Sequence, residues 1–138
     1  MPLKVAVVDG MGGGIGALVV QRLKQALGDE HTVIALGTNA IATAGMLKAG
    51  ASIGATGENA IIRTAQTADV IVGPVGIVIP NSLLGEITPA IATAIASCPA
   101  VKVLIPLSQP HVELIGLESR PLSAVLDEVS SRVHAMVK

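Results

Sequence analysis

Short aliphatic runs alternate with amphipathic stretches along almost the whole chain. Residues 3–8 are apolar apart from Lys4 and rich in valine, the composition of a strand buried on both faces. The run ends at Asp9 and enters the loop Gly10-Met11-Gly12-Gly13-Gly14-Ile15-Gly16. Beyond it, Ile15, Leu18, Val19, Leu23 and Leu27 recur at helical spacing, with Gln21, Arg22, Lys24 and Gln25 mostly opposite. Gly28 supplies a helix stop. Residues 32–36 predict a second strand, ending at Gly37-Thr38-Asn39. Residues 40–49 predict a second helix, closed by Gly50 and charged only at Lys48. The glycine-punctuated stretch 51–57 is read as a connection, with Thr56 capping a third helix over 58–67.

Residues 69–72 predict the third strand, which runs into Gly73-Pro74. Pro80 and Asn81 interrupt the apolar stretch 76–85, which is read as a loop with a short turn. Thr88 and Pro89 open a fourth helix, as cap and first-turn residue, that stops before Pro99. Residues 101–105 predict a fourth strand. Residues 112–116 predict a fifth, set as an antiparallel edge because only 107–111 separate it from the fourth. Val125, Leu126, Val129, Val133, Met136 and Val137 mark a last amphipathic helix. Strand–helix alternation with uniformly apolar strands calls for an α/β fold: a doubly wound, mostly parallel, Rossmann-like sheet of about five strands, covered on both faces. No repeat or linker divides residues 1–138, so a single domain is expected.

Composition narrows the function classes. The net charge is −1 with no run of like charges, which argues against a nucleic-acid partner. Only 14% of residues are charged, against about 25% in a typical domain, so part of the surface is expected to be covered in a homodimer or higher homo-oligomer. The apolar runs break well short of the ~20 residues that cross a bilayer. A strand beginning at Leu3 leaves no room for a secretory signal, and the cytoplasm is expected. The chain has no Phe, Trp or Tyr, so no aromatic side chain can stack on a base. Cys98 is the sole cysteine, which excludes an intrachain disulfide. His31, His111 and His134 are not paired at metal-ligand spacing.

The glycine loop is the strongest chemical signal because it occupies a first βα turn. Glycines admit positive φ and let backbone N–H groups approach a ligand, and a helix start favours negative charge. Gly12, Gly14 and Ala17 satisfy a dinucleotide-binding spacing. Gly10, Gly14 and Gly16 satisfy G-x-x-x-G-x-G, which resembles the cofactor loop of short-chain dehydrogenases. A tight strand-to-helix turn without a ligand explains the same residues. No acid follows the second strand to hold a ribose, and the dehydrogenase tyrosine is absent. Thr38 and Asn39 either bond to a ligand or cap the next helix.

Ligands of open α/β sheets sit beyond the carboxyl ends of the strands. That edge gathers Asp9, Gly10, Met11, Gly12, Gly13, Gly14, Ile15, Gly16, Thr38, Asn39, Gly73 and Pro74. Loops folding over it add Glu58 and Asn59, and also Thr56, Asn81, Ser82, Glu86 and Ser108. The expected ligand is a nucleotide, whether NAD(P) or an adenine or guanine nucleotide, or another small phosphorylated molecule. Two alternatives stand beside it. One is a homo-oligomeric interaction or regulatory subunit without a small ligand. The other is a metal-assisted enzyme in which Asp9, Glu58 and Glu86 converge.

Six segments carry a wider likeness: Val-Val-Asp-Gly-Met-Gly-Gly-Gly-Ile-Gly (7–16), Ala-Leu-Gly-Thr-Asn-Ala (35–40), Met-Leu-Lys-Ala-Gly-Ala (46–51), Gly-Ala-Thr-Gly-Glu-Asn-Ala-Ile (54–61), Gly-Pro-Val-Gly-Ile (73–77) and Asn-Ser-Leu-Leu-Gly-Glu-Ile-Thr (81–88). Together they resemble a small bacterial family defined as a domain of unknown function. The resemblance implies a Rossmann-like domain over nearly the whole chain and implies no reaction.

Overall fold

Alternating strands and helices are what residues 2–137 form in the computed structural model. The elements are β1 (Lys4–Asp9), α1 (Gly14–Leu27), β2 (Thr32–Gly37), α2 (Ala40–Lys48), β3 (Ile53–Thr56), α3 (Glu58–Ala65), β4 (Val70–Pro74), α4 (Pro89–Ser97), β5 (Val101–Ile105) and α5 (Leu122–His134). The strands lie in the order β3-β2-β1-β4-β5 and every pairing is parallel. Chain direction across the sheet therefore reverses between β1 and β4, the switch point where the loops after the strands part and leave a crevice.

Burial on both faces follows from the strand sequences. Val5, Val7, Val33, Ala35, Val70 and Val72 point to one side, under α1, Met46 of α2 and α5. Ala6, Val8, Ile34, Leu36 and Ile71 point to the other, under α3, α4 and Ile77. At about 25 cal/mol per Å² of apolar surface, these two layers supply the main driving force of the fold.

Three expectations change. Residues 53–56 form a parallel edge strand on β2 where a connection was read. Gly54 misleads there: a Cβ would come within 3.0 Å of Leu47, so the glycine serves close packing beneath α2. Residues 112–116 form no strand. Gln109 and Val112 close a turn through one antiparallel bridge, His111 adopts φ 62°, and the chain leaves the sheet. The sheet thus keeps five strands but has no antiparallel edge. Gly57 stands where Thr56 was expected to cap α3, and makes no side-chain cap. Thr88 and Pro89 start α4 as read: the Thr88 hydroxyl accepts from Ile91 N–H at 3.1 Å. The stretch after β4 is a short 3-10 turn, Val75–Val78, followed by turns.

Candidate functional site

β1 delivers Asp9 to the carboxyl edge of the sheet beside the switch point, 5% exposed. Its Oδ1 accepts from Gly10 N–H at 2.8 Å and its Oδ2 from Gly16 N–H at 2.6 Å. The carboxylate thus closes the glycine loop on itself. Burial pushes the Asp9 carboxyl above its ordinary range; the two N–H donors oppose that rise, and nearby Glu86 adds to it.

The loop's glycines serve different needs. Gly10 leaves room for Thr38 Oγ1 and Glu86 Oε1, which a Cβ would meet at 2.5 and 2.6 Å. Gly13 has φ 75° and lies against the backbone of Ala42. Gly16 clears Met46 and Asp9. Ile15 packs on the core. Gly12 and Gly14 are different: neither has a positive φ, and a Cβ on either would meet nothing within 4 Å. Packing gives no reason for a bare backbone at these two positions.

Glu86 reaches the loop from the segment between β4 and α4. Its carboxylate accepts from Met11 N–H, from Thr38 Oγ1 at 2.9 Å and from Asn39 Nδ2 at 2.9 Å. Partial burial tends to raise its pKa, but the Met11 N–H, the Asn39 amide and the Thr38 hydroxyl prevail and hold it below the ordinary glutamate value. The Asn39 amide also donates to the Met11 carbonyl at 2.9 Å, while its oxygen caps α2 by accepting from Ala42 N–H at 2.9 Å. Asn39 is therefore a cap and part of a clasp at once. Glu86 thus sets a carboxylate just past β2, and its contact with Met11 spans 75 positions.

The remaining candidates divide. Gly73 and Pro74 are buried at the end of β4, where a Cβ on Gly73 would meet the Val8 carbonyl at 2.6 Å, so this glycine serves strand packing. Thr56 bonds to Thr43 at 2.8 Å beneath α2. Glu58 accepts from Thr88 Oγ1 at 3.2 Å, and Asn59 is exposed beside it on α3; neither bonds to the glycine loop among the described residues. Among the described residues no three His, Cys, Asp or Glu side chains gather where they could hold a metal ion, so Asp9, Glu58 and Glu86 do not form the trio a metal site would need. Ser82 donates to the Gly76 carbonyl, and Asn81 and Ser108 border a cleft beside Met11. A larger cavity, about 710 Å³, lies between β5, residues 113–120 and α5, and no residue of the glycine loop lines it. No helix among the described residues is long and apolar enough to cross a membrane.

A family model described as a domain of unknown function, DUF3842, matches residues 4–138, and the chain belongs to that family. No curated protein matches the chain. A solved universal stress protein in complex with cAMP is similar to it, with 19% identity over 77% of this chain and 99% of that one, at a TM-score of 0.42. Agreement at that level assigns neither ligand nor mechanism.

Proposed function

We propose that this DUF3842 member binds a nucleotide or another small phosphorylated molecule at the carboxyl edge of its sheet, with the phosphate against Gly12, Gly14 and the start of α1. The bare, open backbone at Gly12 and Gly14 carries this reading. The first N–H groups of a helix lack intrahelical partners, and the helix start favours an anion. Asp9 and Glu86 already occupy the N–H groups of Gly10, Gly16 and Met11. The Gly10 carbonyl holds Gly13 N–H, which leaves the N–H groups of Gly12, Gly14 and Ile15 for an incoming phosphate. Glu86, hydrogen-bonded to Thr38 and Asn39 just past β2, is then suitably placed to accept from a ribose hydroxyl.

The test pairs binding with stability. Thermal-shift titration with NAD(P), adenine and guanine nucleotides and sugar phosphates should find at least one stabilising ligand. Gly14→Ala should fold as well as the parent or better, because alanine suits a helix start more than glycine by roughly 0.4–1 kcal/mol. The same substitution should abolish the ligand-induced shift. The proposal fails if none of these compounds stabilises the chain at millimolar concentration, or if Gly14→Ala leaves the shift intact.

A second reading, a homo-oligomeric interaction subunit, is favoured by the apolar groups left uncovered beside the β3 edge. Ile41 is 73% exposed, Ile53 57% and Leu47 41%. The two readings are compatible, and light scattering distinguishes an oligomer from a monomer.

A further inference from the structure

Beyond Met11, on the β4–β5 side of the glycine loop, lies a cleft of about 490 Å³. Pockets for small ligands commonly span about 300–1,000 Å³. Residues 79–84 form one wall, residues 108–111 another, and Met11 borders both.

The backbone around this cleft is unusual. Among the described residues, five non-glycine residues adopt left-handed backbone: Met11 (φ 51°), Asn81 (67°), Leu83 (54°), Leu84 (55°) and His111 (62°). All five line the cleft. Left-handed leucines are costly, and such strain gathers where a site over-determines the chain. Leu84 is also 90% exposed, so core packing does not account for its placement.

The walls are chemically mixed. Met11, Ile79 and Leu83 offer apolar surface, and Met11 is a soft, adaptable one in a chain without aromatic rings. Among the described residues, no intrachain hydrogen bond uses the side chains of Asn81, Ser108 or His111. The Gln109 amide lies over Gly76, where a Cβ would meet its Nε2 at 2.7 Å. Lysine, arginine, aspartate and glutamate do not line the cleft. A charged group would find no lysine, arginine, aspartate or glutamate to pair with there, and a plain alkyl chain would make no use of the amides and hydroxyl. A flat neutral group carrying both donors and acceptors satisfies the walls.

We propose that the cleft is a base subsite: it takes the neutral heterocyclic base of a nucleotide, Met11 and Leu84 packing on the ring and Asn81 and Ser108 bonding to its edge. This rests on the reading that the phosphate sits at Gly12 and Gly14, and it selects nucleotides over sugar phosphates.

Calorimetric titration of the full chain with AMP, GMP, ribose 5-phosphate, adenosine and guanosine tests it. The better nucleotide should bind at least about tenfold more tightly than ribose 5-phosphate. Leu84→Asn should fold at least as well as the parent, since asparagine tolerates left-handed backbone. It should weaken the nucleotide about tenfold and leave ribose 5-phosphate unchanged. The base subsite is overturned if ribose 5-phosphate binds as tightly as both nucleotides, or if Leu84→Asn weakens both ligand classes equally. If the nucleosides bind as tightly as their nucleotides, the cleft stands and the phosphate reading falls. If none of the five binds, both fall.

Discussion

Glu86 ties together three segments that are remote in sequence: the glycine loop, the end of β2 and the β4–α4 connection. Glu86→Gln keeps one acceptor oxygen but turns an N–H₂ toward a neighbouring donor, so it should cost about 1 kcal/mol at neutral pH. The pH dependence has a definite sign. The folded pKa of Glu86 lies below the ordinary 4.5, so its contribution is complete above 4.5 and is lost as pH falls through the lower folded value. The melting-temperature gap between parent and Glu86→Gln should therefore narrow below pH 4.5; a gap independent of pH would remove this role. Asp9 acts in the opposite sense. Its folded pKa is raised, so its contribution to stability grows as pH falls from that value to 3.8. Glu86→Gln also removes the charge that helps to raise Asp9, so the same variant should bring the Asp9 carboxyl closer to its ordinary range. Asp9 and the glycine loop were legible in sequence because strand, loop and helix are contiguous. The clasp was not, because nothing local to residues 81–88 announces a contact 75 positions away. The same limit hid the division among the glycines: spacing counts five in seven residues, and only neighbours in space separate the packed ones from Gly12 and Gly14.

At the scale of elements, apolar runs were legible where a strand is buried on both faces, as in β1, β2 and β4. The edges were not. β3 is short, carries Gly54 for its fit beneath Leu47 and is mostly exposed, so its sequence lacks a buried run. Residues 112–116 have strand-like composition but follow a turn at Gln109–Val112 that takes them off the sheet. Hydrophobicity alone cannot tell an edge strand from an apolar turn, because partner geometry decides between them. Helix starts were more readable where a side chain caps them, as at Thr88 and Asn39. Asn39 makes a sharp test because cap and clasp use different atoms. Asn39→Asp retains an oxygen for Ala42 N–H and suits the helix start electrostatically. It also removes the amide that donates to Met11 and Glu86 and sets a second carboxylate beside Glu86. The variant should be less stable than the parent at pH 7 and recover part of the loss on mild acidification, as the carboxylate pair takes up a proton. Equal melting temperatures at pH 7 would show that the clasp contributes nothing beyond the cap.

For the whole molecule, the two sides of the sheet end differently. The glycine loop and the cleft share the carboxyl edge near the centre, while β3 ends the sheet on one side with its outer backbone groups unpaired by any strand among the described residues. A free edge strand flanked by exposed apolar side chains is a template for pairing with another chain unless it is protected by charge, proline or a bulge. β3 is Ile-Gly-Ala-Thr, with no charge and no proline. Ile41, Leu47 and Ile53 add apolar surface on the α2 and β3 side. The low charge of the whole chain is consistent with a surface that is covered there. Pairing of two β3 edges would join two sheets and keep both carboxyl edges open, since the carboxyl edge runs across the strand ends. Light scattering should therefore report a dimer or higher species. Ile53→Lys, which places a charge on the exposed edge without touching the core, should shift it to monomer while leaving the Gly12–Gly14 ligand shift unchanged. A parent chain that is monomeric at its highest soluble concentration ends the oligomer reading. An oligomer indifferent to Ile53→Lys moves the interface away from β3.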